Sequence, residues 1–100
     1  MNQIYTAPER INATNAEEMS REWIKALNYG QDLIIDLSNT KAITGDGYKS
    51  ILMTFKIANI KKLDFCVCNP NQDIKKVLIG FGLANIIAPF IYDNNENRSR

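Results

Sequence analysis

The residues best placed to do chemistry stand around one loop. An apolar run ends at Asp36-Leu37-Ser38, and Thr44-Gly45-Asp46-Gly47 then leads into a helical pattern. A helix start offers free backbone N–H groups and the positive end of the helix dipole, so a carboxylate or a phosphate is stabilised there. Such a loop suits a charge switch. On the simplest reading Asp46 is the N-cap of that helix. The hydroxyls of Thr44 and Ser50 are close by in sequence and are expected to hydrogen-bond locally.

Other chemistry is scarce. The chain has no histidine, which excludes Ser–His and Cys–His nucleophile pairs and His-ligated metals. Cys66 and Cys68 alternate about Val67, so on a strand both thiols share one face and a bridge between them would be strained. They read as small buried hydrophobes in a reducing compartment. Asp36 and Asp46 have no base, nucleophile or metal set beside them, which makes an enzyme the least favoured class. No catalytic residue, metal ligand or cofactor is expected.

Composition narrows the partners. One hundred residues make one small domain, and 45% hydrophobic with 23% charged residues is ordinary for a globular chain. Lys and Arg total 12 against 11 acids, a net charge of +1 with no field for nucleic acid. The first residues carry neither a basic nor an apolar leader pattern. The longest uncharged stretch, 77–92, is too short to span a membrane and is broken by Gly80, Gly82, Asn85 and Pro89. A cytoplasmic protein without membrane insertion is the expectation.

The elements that must position the loop follow from pattern. Residues 3–6 suit a short strand. Thr14 and Glu17 form a capping-box signature ahead of a helix with Met19, Trp23 and Leu27 on its apolar face and Gly30 as its stop. Residues 33–37 predict a central strand covered on both sides, 38–47 a loop, 48–62 a second helix and 63–68 the next strand. Asn69-Pro70 predicts a third helix start, with Asn69 as its cap and Gln72 placed for the reciprocal bond. Pro89 to Tyr92 suits a last strand, and 94–100 a polar flexible tail. This alternation predicts a single α/β domain over 1–93, with a small, mostly parallel sheet of about four strands and helices packed on it.

The strand Leu33-Ile34-Ile35-Asp36-Leu37-Ser38, the glycine loop, Asn69-Pro70 and Gly82-Leu83 together resemble a STAS domain in order and spacing. The stretch from Ile11 to Glu17 is similar to that family's loop into its first helix. The likeness runs roughly from Ile4 to Tyr92. In signalling members a hydroxyl residue of an Asp-Ser-Ser-Gly-Leu loop is phosphorylated by an anti-sigma factor that is also a serine kinase, and this releases the partner. Here Thr44, Gly45, Asp46, Gly47 and Tyr48 take those five positions, so only the glycine is kept and Asp46 replaces the acceptor. Beside capping, two readings of Asp46 stand open. It holds the site permanently negative, with one charge where phosphoserine carries about −1.5 to −2, or the partner surface is rebuilt and the switch abandoned.

The resemblance implies a non-enzymatic protein-binding module, an anti-sigma-factor antagonist or related partner-switching component. Its partner would be an anti-sigma factor of serine-kinase type. The expected contact set is Thr44, Gly45, Asp46 and Gly47 with Tyr48, Ser50, Met53 and Ile57 of the second helix. On that helix Tyr48, Ile51, Leu52 and Phe55 share one face, and Met53, Ile57 and Ile60 the roughly opposite one, so it is wedged between elements or open to a partner. The alternatives are an accessory subunit of a membrane transport complex and a small-ligand or nucleotide sensor. A usual member has a further strand at the start and a final helix, neither evident here, so either the fold is trimmed or another chain, in a homodimer or an obligate complex, covers the bare edge and face.

Overall fold

The computed structural model describes residues 2–89. Along the chain run β1 (Asn2–Thr6), β2 (Arg10–Ile11), α1 (Ala16–Asn28), β3 (Asp32–Asp36), β4 (Ala42–Ile43), α2 (Gly45–Lys61), β5 (Phe65–Cys68), α3 (Gln72–Gly80) and a 3-10 turn, Ala84–Ile86. The main sheet is parallel in the order β1-β3-β5, and β2 pairs with β4 in a second, two-stranded parallel sheet. Each parallel pair needs a crossover, and α1 and α2 supply those of the main sheet. The small sheet, with β4 inside the expected loop and β2 ahead of α1, has no counterpart in the sequence reading, because strands of two residues carry no period to detect.

One face of the main sheet bears the core. Leu33, Ile35, Phe65 and Val67 are buried with Met19, Trp23 and Leu27 of α1, Ile51 and Ala58 of α2, and Ile74 and Leu78 of α3. Among the described residues the other face is not covered in the same way. Its Ile4, Ile34 and Cys66 are only half-buried there, which corrects the expectation of a strand covered on both sides. The expected fourth strand falls largely outside the described residues. Within them, a single parallel bridge joins Val67 to Ile87.

Helix starts are displaced from their sequence signals. The Thr14 capping box does not form, since α1 starts at Ala16 after Asn15. The Asn15 amide is used elsewhere, accepting from the Asn12 N–H at 2.9 Å and donating to the Arg10 carbonyl at 2.8 Å. Likewise Asn71, not Asn69, caps α3, accepting from the Ile74 N–H at 2.8 Å. Asn69 takes a left-handed conformation at φ 58° and donates to the Asp36 carboxylate at 3.3 Å. Asparagine tolerates that conformation, which turns the chain out of β5.

Candidate functional site

The loop that carries Asp46 is fixed from below by polar contacts. Asp36 is buried and accepts from the Ser38 N–H at 2.9 Å and from Asn69, tying together the ends of β3 and β5. Thr40, also buried, donates to the Pro8 carbonyl at 2.9 Å, and its own carbonyl accepts from Asn71 at 3.3 Å. The Thr44 N–H then donates to the Ile11 carbonyl at 2.9 Å, which sets the chain into α2. Asp36 is thus a structural carboxylate. It supports the loop and does not form a pair with Asp46.

Asp46 is not the cap. Thr44 holds that position without a side-chain hydrogen bond, and Asp46 stands in the first turn of α2, exposed. Its charge meets the positive end of the helix dipole there. Among the described residues it takes no side-chain hydrogen bond or ion pair. The carboxylate is therefore presented to solvent.

Beside it, the N-terminal halves of α1 and α2 enclose an open cleft of about 360 Å³. Glu17 and Ser20 line one wall, and Asp46, Lys49 and Met53 the other. Glu17, Ser20 and Lys49 were not among the residues expected from sequence. The signal for them was available, because parallel strands with right-handed crossovers bring helix N-termini to one end of a sheet.

The expected contact set divides in two. Thr44, Gly45, Asp46 and Met53 are exposed, Met53 by 53%. Gly47, Tyr48 and Ser50 are buried, which corrects their placement on a partner-facing surface. Tyr48 stacks on Phe81 with ring centroids 4.4 Å apart, and burial raises its phenol above the usual range. Ser50 donates to the Ala16 carbonyl at 3.4 Å, tying α2 to α1. Ile57 is half-buried against the core. The outward stripe of α2 is instead Lys49, Leu52, Met53, Lys56 and Ile60, with Ile60 81% exposed.

Neither cysteine is built for reactivity. Burial, then the Asp36 carboxylate, then Cys66 push the Cys68 thiol up to about 12, and burial and Asp64 raise Cys66. Reactivity requires the thiolate. Alkylation at pH 8 should therefore be far slower in the native protein than in urea, and a fast-reacting native thiol would contradict this. A raised thiol pKa also fixes the sign of the alkaline response. Above pH 9 the unfolded thiol ionises while the folded Cys68 stays protonated, so stability should fall as pH rises from 9 toward 12. Cys68→Ala should flatten that limb in urea melts.

The fold is a parallel α/β domain whose second helix starts with an exposed acidic turn. The STAS domain family model matches residues 2–97, and the chain belongs to that family. Comparison with curated proteins finds no match. Among solved structures, the anti-sigma factor antagonist SpoIIAA in its unphosphorylated form aligns with TM-score 0.79 at 13% identity, over 97% of this chain and 84% of its own. The Bacillus cell fate determinant SpoIIAA in its phosphorylated form gives 0.74 at 15%, over 97% and 89%. A candidate anti-sigma factor antagonist from Thermotoga maritima gives 0.73 at 20%, over 96% and 84%. At these identities the likeness establishes the fold. No described helix is long and apolar enough to cross a membrane.

Proposed function

We propose that this chain is a non-enzymatic, cytoplasmic regulatory module that binds another protein through the Thr44–Asp46 turn and the outward stripe of α2. It acts as an anti-sigma-factor antagonist or a related partner-switching component. The observation that carries this reading is Asp46, a carboxylate exposed in the first turn of α2 and on the rim of a cleft between two helix N-termini. A fixed negative charge there imitates a phosphorylated hydroxyl only in part, with less charge and fewer acceptor oxygens. Wild type therefore holds its partner, but more weakly than a chain with a free hydroxyl at that position would. Lys49, Leu52, Met53, Lys56 and Ile60 supply the mixed apolar and basic surface of a docking face. The partner is an anti-sigma factor of serine-kinase type.

The test is capture from lysate of the source cell with wild type, Asp46→Ser and Asp46→Lys, each with ATP. Asp46→Ser is expected to retain a protein of kinase type several-fold better than wild type and to take up phosphate on the new hydroxyl. Equal retention by wild type and Asp46→Ser would defeat the imitation. Recovery of membrane transport subunits alone would replace the partner assignment.

A further inference from the structure

The two edges of the main sheet are finished differently. At β5 the Ala88 N–H donates to the Val67 carbonyl at 2.8 Å and Ile87 bridges Val67, closing part of that edge. At β1 the ladder to β3 uses the backbone groups of Gln3, Tyr5 and Ala7, as the Ala7 N–H to Asp36 carbonyl bond of 2.9 Å fixes the phase. Ile4 and Thr6 therefore turn their N–H and C=O groups outward. Among the described residues, only the Gln3 side chain reaches that row, 3.4 Å from the Ile4 carbonyl. Exposed edges are normally protected by lysine, proline, a bulge or a covering element. β1 contains neither charge nor proline.

An open groove of about 340 Å³ lies along this edge, between β1 and the C-terminal half of α1. Gln3, Tyr5, Glu22, Lys25 and Tyr29 line it, and Tyr29 is 74% exposed. We infer that the β1 edge pairs with β1 of a second copy, antiparallel about a two-fold axis, so that two three-stranded sheets become one. Among the described residues nothing covers this edge, and an open edge accepts any extended segment; the flanks select the copy. Glu22 and Lys25 lie one turn apart with opposite charges, so a strongly charged strand gains nothing net from this wall. Two-fold apposition instead sets Glu22 of each copy toward Lys25 of the other. A net charge of +1 leaves little repulsion between copies. The groove sits at the C-terminal end of α1 and the Asp46 cleft at its N-terminal end, so pairing leaves the cleft open. The inference stands independently of the proposed function.

Sedimentation analysis from micromolar to near-millimolar concentration tests it. The wild-type mass is expected to rise from 11.4 kDa toward the dimer. Thr6→Pro removes an outward N–H that the ladder does not use. It should stay at monomer mass with unchanged far-UV circular dichroism. Glu22→Lys should weaken the dimer about tenfold, and Lys25→Glu added to it should restore pairing. That charge swap decides the matter if Thr6→Pro fails to fold. A wild type at monomer mass throughout, or a dimer unmoved by either folded variant, overturns the inference.

Discussion

Trp23→Ala is expected to destabilise the domain by about 3–5 kcal/mol, the largest effect of any single truncation considered. Trp23 is fully buried, packs edge-on to Tyr5 with ring centroids 5.7 Å apart, and belongs to the core cluster that joins α1 to the main sheet. Removing it leaves a void in a domain whose whole stability is of the order of 5–15 kcal/mol. The thermal midpoint should fall by about 15 °C or more, since 1 kcal/mol moves a domain of this size by about 4–8 °C. It is the sole tryptophan, so the comparison must use far-UV circular dichroism and not intrinsic fluorescence. Trp23→Phe separates the ring from its polar atom. The indole Nε1 is buried with no hydrogen-bond partner among the described residues, and an unmet buried donor costs about 1–3 kcal/mol. Phenylalanine loses contact area but also relieves that cost, so its net effect should stay near 1 kcal/mol. If Trp23→Phe is as damaging as Trp23→Ala, the indole N–H has an acceptor in solution and the account of this core position is wrong.

The α1 face was legible because Met19, Trp23 and Leu27 keep a clean helical spacing and all three are buried. The central strand was legible as a short apolar run, and the parallel order followed from the alternation of elements. α2 was less legible because its core face is partly polar. Thr54 is fully buried and donates to the Ser50 carbonyl at 2.8 Å, and Ser50 is itself buried and donates to α1. Hydroxyls satisfied inside the protein look like solvent-facing residues in a hydropathy pattern. Leu52 shares a face with Tyr48 and Ile51 in the apolar pattern, yet those two are buried and Leu52 is exposed. For the candidate site, sequence located the loop and Asp46 but not their geometry. The paired strands β2 and β4 that set Thr44 depend on contacts between distant segments. The α1 wall of the cleft exists only once two helices lie side by side.

Gly47→Ala should destabilise the domain, while Gly45→Ala, two residues earlier, should leave it unchanged or slightly more stable. A Cβ on Gly47 would lie 2.7 Å from Ile43 Cγ2, 2.8 Å from Ile11 Cγ2 and 2.9 Å from the Ile11 carbonyl oxygen. The last of these is backbone, so no rotamer change relieves it. A Cβ on Gly45 meets nothing within 4 Å. Alanine favours a helix by about 1 kcal/mol over glycine, a gain common to both sites though smaller in a first turn. At Gly47 overpacking of about 1–3 kcal/mol opposes it. Three contacts shorter than 3.0 Å favour the upper end of that range, for a net loss of about 1–2 kcal/mol in urea melts. Ile43→Ala removes one of the three clashing atoms, so Gly47→Ala with Ile43→Ala should cost less than the two single losses added. Strict additivity would show that α2 does not approach the small sheet this closely. The consequence reaches the site, because the Ile11 carbonyl that a Cβ would strike also accepts from the Thr44 N–H. Displacing it would tilt the start of α2 and Asp46 with it. Gly47→Ala should therefore weaken partner binding even below the melting transition, whereas Gly45→Ala tests whether the turn itself contacts the partner.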